Sequence, residues 1–563
     1  MGFLQPNLPE LDLETWRRGT REERMRPLVR HFCAVGFGSP DAVILVYVLK
    51  IALYVLVGWL FVLSTPGIDG FTAVSDWWRS PEVFYKAVLW TMLFEVLGLG
   101  CGFGPLNLRF VPPLGSFLYW LRPGTIRLAP WPGRVPLTAG DSRTLLDAAL
   151  YLALIISLAI AAFGALPRWQ VGVVLGVLVI LGLRDKVIFL AARSEVYATL
   201  AVTYFFVAGD QIVAAQLVMV VIWWGAAASK LNRHFPYVVQ AMMSNSPVWR
   251  FGSMKARLFH RDYPDDLQPS RVSGMLAHGG TVVEFGAPLL LLLGDGGPVT
   301  VVGAVVMIAF HLNIISSLPM GVPLEWNVFM ILGILNLFVA NAGVGVTDLV
   351  HPLPVLGLIA VAAGVVVIGN AFPDKVSFLA AMRYYAGNWD TSFWMFGGDA
   401  VAKFDQSTVT ASQMPHLQLE KVYGSADQAE MLMHLGYAFR SCHTHGRALL
   451  SLVPRACGEQ HEDYLMLDGE LVAGTALGWN FGDGHLHNEQ LVAALQARCN
   501  FAPGEVRVVM LDAQPFHKQT QRYRLVDAAT GEIERGYVRV ADMVSAQPGA
   551  TNVPIHVTES ATT

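Results

Sequence analysis

The chain is 563 residues long, 54% hydrophobic and only 15% charged, well below the roughly 25% charged content of soluble proteins, so a string of ordinary soluble domains is excluded and a membrane protein is implied. A net charge of -4 without a basic stripe excludes a nucleic-acid binder that works by neutralising phosphates. Five scattered cysteines, Cys33, Cys101, Cys442, Cys457 and Cys499, exclude a secreted disulfide framework.

Residues 1–42 read as a polar N-terminal arm rich in arginine (Arg17, Arg18, Arg21, Arg24, Arg26, Arg30). It has no apolar signal-peptide core, so the first span serves as the insertion signal. A helix crosses a bilayer with about 20 apolar residues. Runs near that length lie at 43–65, 85–105, 145–166, 170–184, 194–208, 211–229, 275–294, 298–317, 324–342 and 353–371. They predict an all-α polytopic membrane domain over 43–371 with about ten helices. Nine is the alternative count, because the fourth and fifth runs are short and Gly279 and Gly280 open the seventh. The segments at 1–42, 106–144, 184–193 and 230–272 hold most of the Lys and Arg, whereas the loops near 75, 167, 209, 296 and 345 hold only Arg79 and Arg168. By the positive-inside rule both termini are expected in the cytoplasm.

Beyond residue 371 the texture changes. Residues 372–404 mix Tyr384, Tyr385, Trp389, Phe393 and Trp394 with Lys375 and Arg383, which predicts an aromatic junction at headgroup level. Residues 405–545 read as a small soluble α+β domain able to fold alone, with helices near 427–440 and 488–498 and a hairpin turning at Ala529 to Glu532. Residues 546–563 are small and polar and read as a disordered tail. No internal repeat is evident, which speaks against an inverted-repeat transporter.

Ionisable groups inside spans are costly and ask for a reason. Lys50 and Glu95, on the first and second spans, read as a structural ion pair between neighbours. Lys230 closes the sixth span after the small residues 225–229, and His278, Glu284, His311 and Asn313 lie on the next two helices. Lys230 has two readings: a lysine snorkelling from a helix end, or a desolvated lysine acting as a base. Periodicity does not choose between them.

The order of small residues followed by Lys230 and Leu231, then Gly279, Gly280 and Glu284 running into Pro288 and five leucines, then Phe310 and His311, resembles the membrane core of the vitamin K-dependent γ-carboxylase superfamily and its bacterial HTTM-like relatives, over about residues 170–342. Asp185 and Lys186, followed by Phe189 and Tyr197, fit the same pattern. The resemblance implies a lipophilic, quinone-like ligand as cofactor or substrate. It implies Lys230 as the base that deprotonates a reduced quinone, and it accompanies a reading of His278, Glu284 and His311 as further catalytic groups and of Asn313, Arg193 and Asp185 as ligand-orienting ones. The chain departs from the carboxylases at Ala191 to Glu195, where they carry an Asn-His pair, and 150 residues of different texture do not supply their large propeptide-binding domain. With the Arg383 to Trp389 signature, the whole chain looks more like an uncharacterised bacterial family of multispanning proteins, which implies a multi-pass protein of the bacterial inner (plasma) membrane.

Histidines crowd the C-terminal part. His443 and His445 come after Cys442, and His485 and His487 come after Asp483 and Gly484. Two His-x-His pairs and a thiol suit zinc or iron if the segments meet, but the spacing of known zinc motifs is missing, so turn-capping histidines and no metal are the expectation. The functional expectation is a membrane protein with a carboxylase-like helical core that binds a lipophilic ligand and works as a lysine-dependent enzyme. The alternative is a non-catalytic protein that binds or moves membrane lipids, or scaffolds an envelope complex through a protein partner of its C-terminal domain.

Overall fold

The structure is a computed structural model that describes residues 2–70, 72–100, 108–109, 111, 115–249, 251–317 and 324–560. The last part of the expected second span (101–105) and the final three residues of the expected tail lie outside the described residues.

Six helices among the described residues are long and apolar enough to cross a membrane: Asp41–Leu63, Leu145–Phe163, Asp210–Ser229, Arg271–Leu293, Pro298–Ile315 and Pro352–Ala371. The expected count of about ten is therefore not met by length and hydropathy alone. The remaining expected spans are shorter or broken. Pro81–Val96 has 16 residues and Arg168–Arg184 has 17, and 194–208 contains only Tyr197–Thr203, preceded by Lys186–Ala191. Leu324–Gly333 continues as a π-helix, Ile334–Ala340. Polar residues at Lys86, Glu95, Arg193 and Glu325 interrupt these apolar runs, and all four are buried inside the protein.

Hydrogen bonds sort the connections onto two faces. On one face the Arg168 guanidinium donates to the Phe206 carbonyl (3.1 Å), the Tyr204 hydroxyl to the Leu166 carbonyl (2.9 Å), the Asn336 amide to the Trp78 carbonyl (2.8 Å), and the Val350 N–H to Asp210 (2.8 Å). These are the connections poor in Lys and Arg. On the other face the Trp120 indole donates to the Leu477 carbonyl (2.8 Å), Lys186 to the His485 carbonyl (2.9 Å) and Tyr237 to the Val544 carbonyl (2.7 Å). The N-terminal helix Arg21–Val35 lies on this second face, capped by a Thr20–Glu23 box that satisfies free N–H groups at the helix start. Just before it, Arg17 bridges to Glu430 (2.7 Å) of helix Ala426–Cys442. The segments before the first span and after the last thus share one face, which an even number of crossings requires.

The C-terminal domain is built on a six-stranded antiparallel sheet in the order β2-β1-β3-β4-β5-β6, formed by β1 (Thr391–Phe396), β2 (Leu465–Asp468), β3 (Val506–Leu511), β4 (Thr520–Asp527), β5 (Gly531–Arg539) and β6 (His556–Ser560). The expected hairpin at 529–532 joins β4 to β5, and the helices expected near 427–440 and 488–498 are Ala426–Cys442 and Glu489–Cys499. Two boundaries differ from expectation. The aromatic junction is not confined to the headgroup level, because its residues 391–396 form β1, paired on both sides inside the sheet and wholly buried. The tail likewise contributes an edge strand, and before it the Val553 N–H donates to Ser451 (3.0 Å). Phe393 and Trp394 read as interfacial aromatics from composition, yet the same residues suit a buried strand.

Candidate functional site

Helix Asp210–Ser229 ends in Gly225, three alanines and a serine. A Cβ on Gly225 would press on Val366 (3.2 Å) and Met382 (3.0 Å), so the small side chains let the final span approach, as such stripes do in membranes. The helix C-cap is Lys230, whose ammonium lies 2.6 Å from both carboxylate oxygens of Glu284 on the neighbouring helix Arg271–Leu293. Both side chains are nearly inaccessible, and the Phe235 ring lies 5.6 Å from the ammonium. The lysine is therefore neither snorkelling nor unpartnered. Its proton is shared with a carboxylate, which satisfies two charges that neither could bear alone in an apolar setting.

The other sequence candidates divide. His311 is buried one helix further on, where Nε2 accepts from the Trp223 indole (3.2 Å) and Nδ1 faces the Asn327 carbonyl oxygen (2.8 Å). Indole only donates, so Nδ1 carries the hydrogen and both ring nitrogens are occupied. His278 sits six residues before Glu284, about one and two-thirds turns away, and is exposed. Asn313 is also exposed. Asp185 belongs to a buried network at the domain-side ends of two spans, where Arg143 holds it (2.7 Å) while Arg184 holds Asp147 (2.5 Å). Arg193 pairs with Glu195 (2.9 Å) and stacks on Trp326 (4.3 Å). Of the proposed set, Lys230 and Glu284 are in direct contact, and His311 lies near enough to interact with the Lys230 charge.

A cavity begins at the very next residue. A cleft of about 700 Å³ opens between the end of Asp210–Ser229, helix Phe235–Asn245 and the first turns of Arg271–Leu293. Leu231, Pro236 and Val544 supply apolar surface, and Arg233, His260 and His278 supply nitrogen groups. Arg233 and His278 are exposed, and His260 contacts Asp266 at 3.3 Å. Sequence reasoning passed over Arg233 because a basic residue in a loop gives no signal of its own. Its nearness to Lys230 at a helix end was the available clue.

The two histidine pairs of the domain have separate duties. His443 and His445 stack at 5.4 Å beside Trp389, and burial pushes His443 down to about 3. Ser392 accepts from the Trp394 indole (3.1 Å) and shares a hydrogen bond with His487 Nδ1 (2.7 Å), while His485 bonds the Pro373 carbonyl (2.9 Å). Burial lowers His487 to about 4. Among the described residues no three His, Cys, Asp or Glu side chains are arranged to hold a metal ion. The Arg383 to Trp389 signature joins membrane to domain. Arg383 donates to the Gly369 carbonyl (2.8 Å), Tyr384 to Glu195 (3.1 Å) and Asn388 to the Gln514 carbonyl (2.9 Å). Gly387, at φ +76, admits no Cβ because Val238 and His234 lie against it.

Apolar spanning helices, buried ion pairs between them and a domain docked at one face define a polytopic membrane protein with an attached α+β domain. The chain belongs to the family described as transmembrane protein of unknown function (DUF3556), which matches residues 1–558. No curated protein and no solved structure matches it.

Proposed function

We propose that this is a lipid-binding membrane protein whose interfacial cleft takes the anionic headgroup of a membrane lipid. The observation that carries this reading is the position of the cleft. It lies just beyond the end of one span at Ser229, beside the first turns of Arg271–Leu293, a position this reading assigns to headgroup depth, and it combines apolar surface with the Arg233 guanidinium. Basic side chains at that level attract anionic lipid with about 1 kcal/mol each. The Lys230–Glu284 pair ties together the two helices that flank the cleft, and so acts as its structural clamp. Use of Lys230 as a base for a quinone-like ligand would first require separating it from both oxygens of Glu284.

The same reading includes ten crossings, with the four short or broken segments running between the two faces alongside the six long spans. The arginine-rich face is assigned to the cytoplasm on the positive-inside rule, with the C-terminal domain on that side. The test is a mass-spectrometric inventory of lipids retained after gentle purification. Anionic lipid should be enriched over zwitterionic lipid in the natural protein, lost in Arg233→Glu and regained in Arg233→Lys. Equal retention in the glutamate variant would remove the cleft from the account.

A further inference from the structure

A second buried charge cluster lies elsewhere in the helical domain, where Pro81–Val96 ends and Leu324–Gly333 begins. Glu95 on Pro81–Val96 and Glu325 on Leu324–Gly333 are both buried. Their carboxyl groups close on the same backbone point, Gly100, and are near enough to hydrogen-bond each other. A third carboxyl group, Glu195, belongs to the same neighbourhood. Its partner Arg193 is held 2.9 Å away and is stacked on Trp326 and Tyr384. From the first span, Lys50 reaches the Gly100 carbonyl at 3.0 Å, and Tyr54 bonds Thr91 at 2.7 Å.

The charges in this cluster do not balance when all are ionised. Three carboxylates face two cations, Arg193 and Lys50, in a region where an uncompensated charge is costly. Two carboxyl groups in contact cannot both ionise there, which is the situation in which one proton is shared between them. An independent observation points to the same place. The Tyr197 hydroxyl is completely buried beside this pair, and neither it nor Glu195 Oε2 has a hydrogen-bond partner among the described residues. Buried hydroxyl and carboxyl groups are almost always hydrogen-bonded, so these two atoms beside the carboxyl pair are suited to take a proton or the water that carries it.

We propose that Glu95 and Glu325 form a membrane-embedded proton-binding site, with one proton shared between their carboxyl groups and Tyr197 lining the route to it. The proton brings three carboxyl groups, Arg193 and Lys50 to neutrality.

A hydrophobic carbodiimide tests this on the full chain in native membranes, because it adds only to protonated carboxyl groups, taking the acid O–H across its C=N bond and rearranging to a stable N-acylurea. Peptide mass spectrometry should find the adduct on Glu95 or Glu325 at neutral pH, falling severalfold as the pH is raised. In Glu95→Gln the adduct on Glu325 should also fall severalfold, since a single carboxyl group beside Lys50 and Arg193 is free to ionise. Infrared difference spectra of the natural protein provide a second reading that needs no variant to fold and no reagent to enter: a protonated-carboxyl C=O band, shifted in heavy water. Absence of both the adduct and the band would overturn the proposal, and so would undiminished labelling of Glu325 in a folded Glu95→Gln variant.

Discussion

Lys230 and Glu284 face each other across two helices with the ammonium 2.6 Å from each carboxylate oxygen, and almost no solvent reaches either. Fifty-four positions separate them in the chain. Their pairing closes the end of one span against the middle of another and leaves Leu231 and Arg233 to turn out into the cleft.

Removing one member of that pair should be far more damaging than removing both. Lys230→Met strands a buried carboxylate, a change that typically costs about 3–5 kcal/mol. Its thermal unfolding midpoint in detergent should drop clearly. The double variant Lys230→Met with Glu284→Leu removes both charges and should recover most of the loss. A double variant as unstable as the single one would mean that the pair contributes through something other than charge compensation.

Salt should discriminate between the cleft and a buried apolar lipid site. Attraction of an anionic headgroup to an exposed guanidinium is screened at high ionic strength. Retention of anionic lipid should decline as salt is raised in the natural protein and should be low and salt-independent in Arg233→Glu. Salt-independent retention in the natural protein would place the lipid elsewhere.

The pH dependence of stability is set by buried histidines outside the spans. Burial holds His234, His434 and His487 at about 4 and His443 at about 3, against an ordinary 6.5. The unfolded chain takes up protons below about pH 6.5 that the folded one refuses, so stability present above 6.5 is lost as the pH falls toward 4. Asp512, raised by burial to about 6, works the other way, because the folded state binds its proton first. His31, His416 and His445 are lowered by burial in the same way, while Asp405, Glu470 and Asp483 are raised by burial and side with Asp512. With seven histidines against four carboxyl groups, the unfolding midpoint should be lower at about pH 5 than at about pH 7. A higher midpoint at the acid end would contradict this assignment.

A fragment of residues 405–545 should fail to fold, contrary to the expectation that composition sets up. It lacks β1, which lies between β2 and β3 and pairs with both, and it lacks the edge strand β6. Circular dichroism and size-exclusion chromatography of that fragment should show an aggregated or unfolded chain. A monomeric, cooperatively melting fragment would show that the sheet closes without its second strand.

Reporter fusions check the two faces. A reporter at residue 405 and one at residue 296 should lie on opposite sides of the membrane, and one at the N-terminus should agree with residue 405. Agreement between 405 and 296 would mean an even number of crossings between them, and would remove the crossing assigned to the broken helix 324–340.

Composition and hydropathy are enough to recognise a membrane protein, to place its six long spans and to find the β4–β5 hairpin, because apolar length and turn chemistry are local properties of the chain. The change of texture at 372 is equally local, but the fold of the residues beyond it is not. Phe393 and Trp394 suit an interface and a buried strand alike, and only pairing with partners more than 70 positions away, at 466–468 and 506–511, decides for the strand. Lys230 and Glu284 could be picked out singly as misplaced charges, whereas their bond could not, since it depends on how two helices rotate against each other. Arg193 and Asp185 likewise found their partners, Glu195 and Arg143, through packing rather than through any motif. The contact between Glu95 and Glu325 is the extreme case: side chains 230 positions apart meet at Gly100. Charge burial reveals itself residue by residue, but charge compensation is a property of pairs, and pairs are made only by the tertiary fold.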